Sequence, residues 1–382
     1  MPHAKSCDLL IVGASFAGLV AARTAAMRGL DVVVVEAKRD AGARVATTGI
    51  LVKEAAEEID LPHELMRRVH GVRLYAPNLR HIDLFSPGSF FLTTETASLL
   101  RWLAREALRA GARIRYGMRF TGAERDGNRF RIAGLELATR YILGADGARS
   151  AVARHFGLGR NERFLVGVEA EFEGLEVDPR FLHCFLDAGL APGYLAWVAP
   201  GPRLAQVGLA AGTGRINLAA FLDRTEPMFR YSGARAVERR AGRIPCGGLV
   251  RPWSAPGVLL VGDAAGMVSP ATGGGIRLAF HFGRRAAQAI ADHLLHLGPA
   301  PETVLARELP RFALKRLMRL GLDLPLPNLV VDAAIATAPM RWLAAHVYFH
   351  RRSATGISFA EFEARIAASA GAGPRPVRSG RT

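Results

Sequence analysis

Apolar and polar positions follow two rhythms along this chain. Residues 9–12 are an apolar run of strand length, ended by Gly13, Ala14 and Ser15. Small residues at helical spacing follow as far as Gly29, and a β-branched run over 31–35 stops at Glu36. That pattern predicts strand, tight turn, helix, strand, acid. Residues 37–50 form a polar loop, and 51–59 have helical periodicity broken at Leu61-Pro62. Residues 72–85 and 89–94 read as strands, with turns at Pro77-Asn78 and Pro87-Gly88. Residues 96–109 place leucines on one helical face and charges on the other, and Gly111 ends the helix. Strands are expected over 113–120, 129–133 and 141–143.

Residues 164–172, 182–186, 195–198 and 204–210 are four strand-like runs with no helix between them, which predicts a second, mostly antiparallel sheet. Residues 218–229 read as a helix, 258–261 as a buried strand, and 276–297 as a long helix. Basic amphipathic helices are expected over 309–320 and 358–370. A Gly-, Pro- and Arg-rich tail over 369–382 has the composition of a disordered segment. The chain carries no internal repeat. An α/β nucleotide-type fold is therefore expected to be interrupted, with a sheet inserted between its parts.

Three glycine-bearing corners carry the candidate chemistry. In the first, Gly13 permits a sharp turn, Gly18 permits close approach of helix and strand, and the helix opening near Ser15 offers free N–H groups to a pyrophosphate. Glu36 has the spacing of an acid that accepts ribose hydroxyls. Ser15 stands where a second glycine is usual. The motif does not separate NAD from FAD, and a plain βαβ unit is the alternative. In the second corner, Asp146-Gly147 follows a strand and Ser150 opens a helix; Asp146 suits a loop-bridging role that reaches a cofactor, with an ordinary Asp-Gly turn as the alternative. In the third, a strand ends at Gly262-Asp263, Pro270 stiffens the turn, and Gly273, Gly274 and Gly275 precede a long helix. That is an anion site without a basic side chain.

The net charge is +16 and comes almost entirely from arginine. No arginine-rich block interleaved with aromatics and no zinc-finger spacing is present, so nucleic acid is not an expected partner. Cys7, Cys184 and Cys246 are scattered and odd in number, which argues against a disulfide framework or metal site and fits a reducing, cytoplasmic setting. The opening MPHAKSCD runs into a core strand, so no signal peptide is expected. No uncharged apolar run reaches the ~18 residues of a membrane span. His183 and Cys184 are adjacent on a strand and should face opposite ways.

In order and spacing the three corners resemble the FAD-dependent oxidoreductases of the p-hydroxybenzoate hydroxylase fold, over roughly residues 7–300. Within that group, GDAAGMVSPATGGGI is most similar to the geranylgeranyl reductase family; aromatic hydroxylases commonly have His where Gly266 stands. The resemblance implies a discontinuous Rossmann-like FAD-binding domain over 1–71, 95–162 and 241–298. It also implies a substrate domain over 72–94 and 163–240, built on the antiparallel sheet, and a helical region over 299–368. Gly13, Ser15, Phe16 and Ala17 would hold the pyrophosphate, and Glu36 with Ala37 the adenosine ribose. Arg44 and Asp146 would meet the cofactor, and Gly262 with Asp263 the ribityl chain. Pro270, Gly273, Gly274, Gly275 and Ile276 would lie at the flavin pyrimidine.

Three departures from the family qualify this. Ala46 stands near a frequent Cys. Thr96 replaces an Arg that touches FAD, and Arg101, one turn on, would substitute for it. The family's aromatic–x–Trp–x–Phe–Pro strand here reads LAWVAP, so Leu195, Trp197 and Ala199 would form an apolar pocket wall. Flavin halogenases have a second Trp and a catalytic Lys; no lysine lies between Lys53 and Lys315, which excludes them.

The implied activity is reduction of carbon–carbon double bonds in a lipophilic, isoprenoid-type substrate. NAD(P)H or a ferredoxin would serve as transient electron donor, and the chain would make peripheral contact with the inner face of a membrane. A monooxygenase acting on a hydrophobic aromatic or quinone-like ring is the alternative. An electron-transfer module is a third reading. No catalytic acid–base residue and no metal ligand is assigned; Tyr194 is a candidate proton donor.

Overall fold

A computed structural model describes residues 5–214, 216–324 and 326–349. Among these, five strands lie side by side and all parallel. Their spatial order is Val258–Leu260, Leu137–Gly144, Lys5–Val12, Val32–Glu36 and Arg113–Tyr116. Over 9–12 and 32–35 the central pair is apolar without alternation because both of its faces are covered; Leu9, Leu10, Ile11 and Val32 to Val34 are fully buried. An antiparallel hairpin, Ala123–Asp126 and Arg129–Ile132, joins the sheet beside Leu137–Gly144.

The helix Phe16–Met27 packs between the sheet and the helix Ile276–Leu294. Two glycines permit that closeness. A Cβ on Gly18 would stand 1.9 Å from the Gly13 carbonyl oxygen, and one on Gly283 would stand 2.5 Å from the Ala17 carbonyl oxygen. The helix Thr96–Arg109 buries Leu99, Leu100, Leu103 and Ala107 as its periodicity predicts.

The second sheet has seven strands among the described residues. In order they are Arg235–Pro245, Phe164–Glu173, Leu204–Ala211, Ala196–Ala199, Phe181–Phe185, Gly71–Tyr75 and His81–Phe85. All neighbours are antiparallel except Phe181–Phe185 with Gly71–Tyr75. One face carries Tyr75, Phe185, Val198 and Val207 against Phe221 and Phe229 of the helix Leu218–Phe229. The other carries Leu74, Leu182, Cys184, Trp197 and Ala199 toward the nucleotide-type domain and the C-terminal helix Ala338–Phe349. A small third sheet pairs Leu51–Val52, Phe91–Thr94 and Met66–Val69.

Three expectations shift. The helix over 51–59 shrinks to Lys53–Ala56, because Leu51–Val52 pairs with Phe91–Thr94. The strand Arg235–Pro245 was not anticipated: its sequence RAVERRAGRIP is charged, as an edge strand can be. It runs straight through the expected domain boundary between 240 and 241. The helix over 309–320 forms later, as Ala313–Leu322. The helix expected over 358–370 and the tail over 369–382 lie outside the described residues.

Gly18→Ala should destabilise the fold by more than ~2 kcal/mol, because backbone rather than a yielding side chain meets the new carbon. Gly29→Ala, whose Cβ would meet nothing within 4 Å, bears only the strain of φ +83° and should cost about 1 kcal/mol. Urea midpoints rank the two; equal losses would refute the close helix–strand contact.

Candidate functional site

Four parallel strands stop side by side, and backbone hydrogen bonds tie their ends together. The Ala145 N–H donates to the Val12 carbonyl at 2.8 Å, Val261 N–H to the Gly144 carbonyl at 2.9 Å, and Gly13 N–H to the Val35 carbonyl at 2.8 Å. Gly13 has φ +107°, and a Cβ there would lie 2.3 Å from the Ala145 carbonyl oxygen. Asn161 Nδ2 donates to the carbonyls of Ala148 at 3.1 Å and Asp263 at 2.8 Å, which ties the second corner to the third.

Anion-binding and acidic groups surround these corners. Ser15 is the N-cap of Phe16–Met27 but its hydroxyl makes no capping bond, so the first-turn N–H groups stay available. Glu36 is fixed from both sides: Oε2 accepts from Ala14 N–H at 2.7 Å and Oε1 from Lys38 N–H at 2.8 Å. Asp146 Oδ2 accepts from Ala151 N–H at 2.6 Å and Val152 N–H at 3.2 Å. Its Oδ1 is buried with no partner among the described residues, and burial raises its pKa against those donors. Among the described residues no cation shifts the Asp263 carboxyl, and burial pushes it up to about 6. Gly275 caps Ile276–Leu294 without a side-chain bond, so a second bare helix N-terminus points into the same space.

One cavity of about 1180 Å³ joins these groups. Gly13, Ser15, Phe16, Ala17, Glu36, Ala37, Arg44, Asp146, Gly262, Asp263, Gly273, Gly274, Gly275 and Ile276 line it, as do Leu195, Trp197 and Ala199. Two expected cofactor residues do not. Arg101 Nε donates to Asp40 Oδ1 at 2.9 Å, an ion pair outside the lining. Pro270 sits in the turn without lining the cavity. Thr96, in place of the family's arginine, instead donates to the Thr48 carbonyl at 3.0 Å and steadies the loop over 46–50.

The far wall is the inner face of the antiparallel sheet. Trp197 Nε1 donates to Glu169 Oε2 at 2.9 Å, which holds the indole in place. Glu169 Oε1 lies 2.9 Å from Arg240 Nε. The same guanidinium pairs with Glu171 and donates to the Thr47 carbonyl at 3.3 Å. Arg240, Glu169 and Glu171 are all buried. Burial raises the Glu169 pKa, and Arg240 opposes the rise. This cluster escaped the sequence reading. Glu169 and Glu171 alternate as any half-buried strand would, and Arg240 is one of several arginines in a strand that was not foreseen. Tyr348, also unforeseen, comes from the C-terminal helix to line the cavity beside Cys184. Tyr194 donates its hydroxyl proton to the Thr272 carbonyl at 2.5 Å, and burial holds it protonated. His183 points away from Cys184, as expected. Its Nδ1 meets the Tyr75 hydroxyl at 3.0 Å, and burial lowers its pKa to about 4. Among the described residues no cluster of His, Cys, Asp and Glu could hold a metal ion.

A family profile described as FAD binding domain matches residues 6–203. The digeranylgeranylglycerophospholipid reductase of Methanosarcina acetivorans is 31% identical over 307 residues, covering 74% of each chain. That of Methanothrix thermoacetophila is 32% identical over 325 residues, covering 79% of this chain and 82% of its own. Among solved structures, a geranylgeranyl bacteriochlorophyll reductase-like protein from Thermoplasma acidophilum superposes with a TM-score of 0.76 at 24% identity, covering 91% of this chain and 97% of that one. A probable FAD-dependent monooxygenase from Pseudomonas aeruginosa gives 0.64 at 19% identity, covering 86% and 100%, a likeness of fold. The chain binds FAD. The cradle fits it: two bare helix N-termini for anionic groups, an anchored Glu36, an unpartnered Asp146 oxygen and an isolated Asp263 carboxyl.

Arg240→Met should destabilise the protein by about 3–5 kcal/mol, because two carboxylates are left buried without a counter-charge. Adding Glu169→Gln and Glu171→Gln to it should recover most of that loss in urea unfolding; no recovery would show that Arg240 acts by packing alone. A pH effect follows from Asp263, whose ligand-free carboxyl is raised from 3.8 to about 6. The ligand-free protein should lose stability as pH rises across that window, since the folded chain holds a proton the unfolded chain has released. A carboxylate accepts ribityl hydroxyls better than a carboxylic acid does, so FAD should raise the melting temperature more at neutral pH than at pH 5. Asp263→Asn should abolish that difference.

Proposed function

Because the chain belongs to the geranylgeranyl reductase family of FAD-dependent oxidoreductases, we propose that it reduces carbon–carbon double bonds in the isoprenoid chains of a lipid. The carrying observation is that one cavity joins the polar FAD cradle to an apolar extension. That extension is walled by Leu74, Leu182, Leu195, Trp197 and Val347 and continues to the C-terminal helices. An isoprenoid alkene offers no polar handle, so orientation must come from shape and exclusion of water.

Bound FAD supplies the hydride equivalent. The chain's own groups do the rest. The N-terminus of Ile276–Leu294 offers N–H groups and a positive dipole end to negative charge at the edge of the cofactor. Trp197, tethered by Glu169, presents a fixed apolar face. Tyr194 keeps its proton on the Thr272 carbonyl, so it shapes the pocket and is not the readiest acid. The relatives' names support this reading over ring hydroxylation, as does Gly266 where hydroxylases commonly carry His. Electrons would come from NAD(P)H or from a ferredoxin. A net charge of +16 favours encounter with either acidic donor. A lipid substrate fits a peripheral protein that works at the inner, cytoplasmic face of a membrane. No helix among the described residues is long and apolar enough to cross one.

The test is anaerobic photoreduction of the FAD-loaded protein followed by addition of geranylgeranyl lipids or quinones. The expected result is return of the oxidised flavin spectrum with the prenyl lipids, and mass spectra showing one H₂ gained per double bond. Turnover that needs oxygen and adds an oxygen atom would establish the monooxygenase reading instead. Reoxidation only by a partner protein would establish the electron-transfer reading.

A further inference from the structure

The helix Ala313–Leu322 is amphipathic, and it is inside out. One of its cations turns inward: Arg319 is 1% exposed, donates to the Gly193 carbonyl and lies 2.9 Å from Asp323 Oδ1. Leu314, Leu317 and Leu320, one stripe at helical spacing, stand 68%, 64% and 54% exposed. A helix bathed in water does the reverse. The apolar exposure continues through Leu322, Leu324 and Leu326 to Leu329, and reappears at Trp342 and Leu343. An apolar surface of this kind marks an interaction site.

We propose that this face docks on an anionic lipid bilayer and that the substrate enters the cavity directly from it. The inference rests on the lipid-reductase reading and adds the surface and the route. Two observations select a bilayer over a protein. First, Leu322, Leu324, Leu326 and Leu343 are exposed and also line the cavity. The rim of the pocket is therefore part of the exposed apolar face, and a prenyl chain can pass from one to the other without crossing water. Second, the charges flanking the face are cationic. Arg311, Arg316 and Arg341 are exposed. The two acids of the segment are tied inward: Asp323 pairs with Arg163 and Arg319, and Asp332 accepts from Asn78 N–H at 2.8 Å. Leucines at acyl depth with arginines at headgroup level are the arrangement of an interfacial helix.

The experiment is flotation of the full-length, FAD-loaded protein with vesicles of phosphatidylcholine and phosphatidylglycerol, and with vesicles of phosphatidylcholine alone. The wild type should float with the mixed vesicles and less with the neutral ones. The variant Leu314→Ser, Leu317→Ser, Leu320→Ser touches no cavity residue. Its partition should fall at least about tenfold. Its flavin spectrum and its turnover of detergent-dispersed geranylgeranyl lipid should stay at wild-type level, while turnover of the same lipid in vesicles falls. The proposal is overturned if the wild type stays with neither vesicle, or if the triple variant floats as well. It is also overturned if light scattering without lipid shows a dimer that the variant loses. Removal of residues 350–382 that creates flotation absent from the full chain would likewise overturn it, by showing that the face is covered by the chain's own end. If detergent-dispersed lipid is never reduced while flotation follows the expected pattern, the reductase reading fails and the docking surface stands.

Discussion

Everything in this molecule depends on how closely three backbone corners approach one another. The Gly13 α-carbon has no room for a methyl group beside the Ala145 carbonyl, and the Gly18 α-carbon has none beside the Gly13 carbonyl. Those distances let the helix Phe16–Met27 lie against its own strand and aim its first N–H groups into the cavity. They also bring Asp146 and Asp263 to the same opening, through the bonds that Asn161 makes to both loops. The acids at this opening are then left short of partners. Burial raises the Asp263 pKa, and a neutral hydroxyl donor can reach a carboxyl so placed without a cation beside it.

The opposite wall is built on another rule. Around Trp197 the sheet buries three ionisable groups to hold one indole in place, where an all-apolar packing would have sufficed for stability. The arrangement fixes orientation, which an apolar substrate cannot secure through bonds of its own. The polar half of the cavity thus selects a cofactor by donors and acceptors, and the apolar half selects by shape.

Much of this was legible in the residues. Glycines at 13, 18 and 273–275, and acids at 36, 146 and 263, carry positional constraints that survive any context, because few residue types can replace them. What could not be read depends on contacts between distant segments. Nothing local in RAVERRAGRIP marks Arg240 as the buried arginine among its neighbours. Arg101 was expected at the cofactor from its place one turn beyond Thr96; in the fold it pairs with Asp40, outside the cavity lining. The periodicity of Ala313–Leu322 shows two faces, but only the position of Asp323 and Gly193 decides which one turns inward.

The interleaving of the parallel sheet has a consequence for biosynthesis. Strand Lys5–Val12 emerges first, yet one of its two neighbours is Leu137–Gly144, and the last corner arrives only with residues 262–276. Contacts that span so much of the chain form slowly. The nascent polypeptide must therefore carry the aliphatic run over 9–12 with one strand edge unpaired until residue 144 has emerged, a state that invites chaperone engagement. FAD can be captured only once residues 262–276 have followed, so coenzyme supply would act as a late checkpoint on maturation.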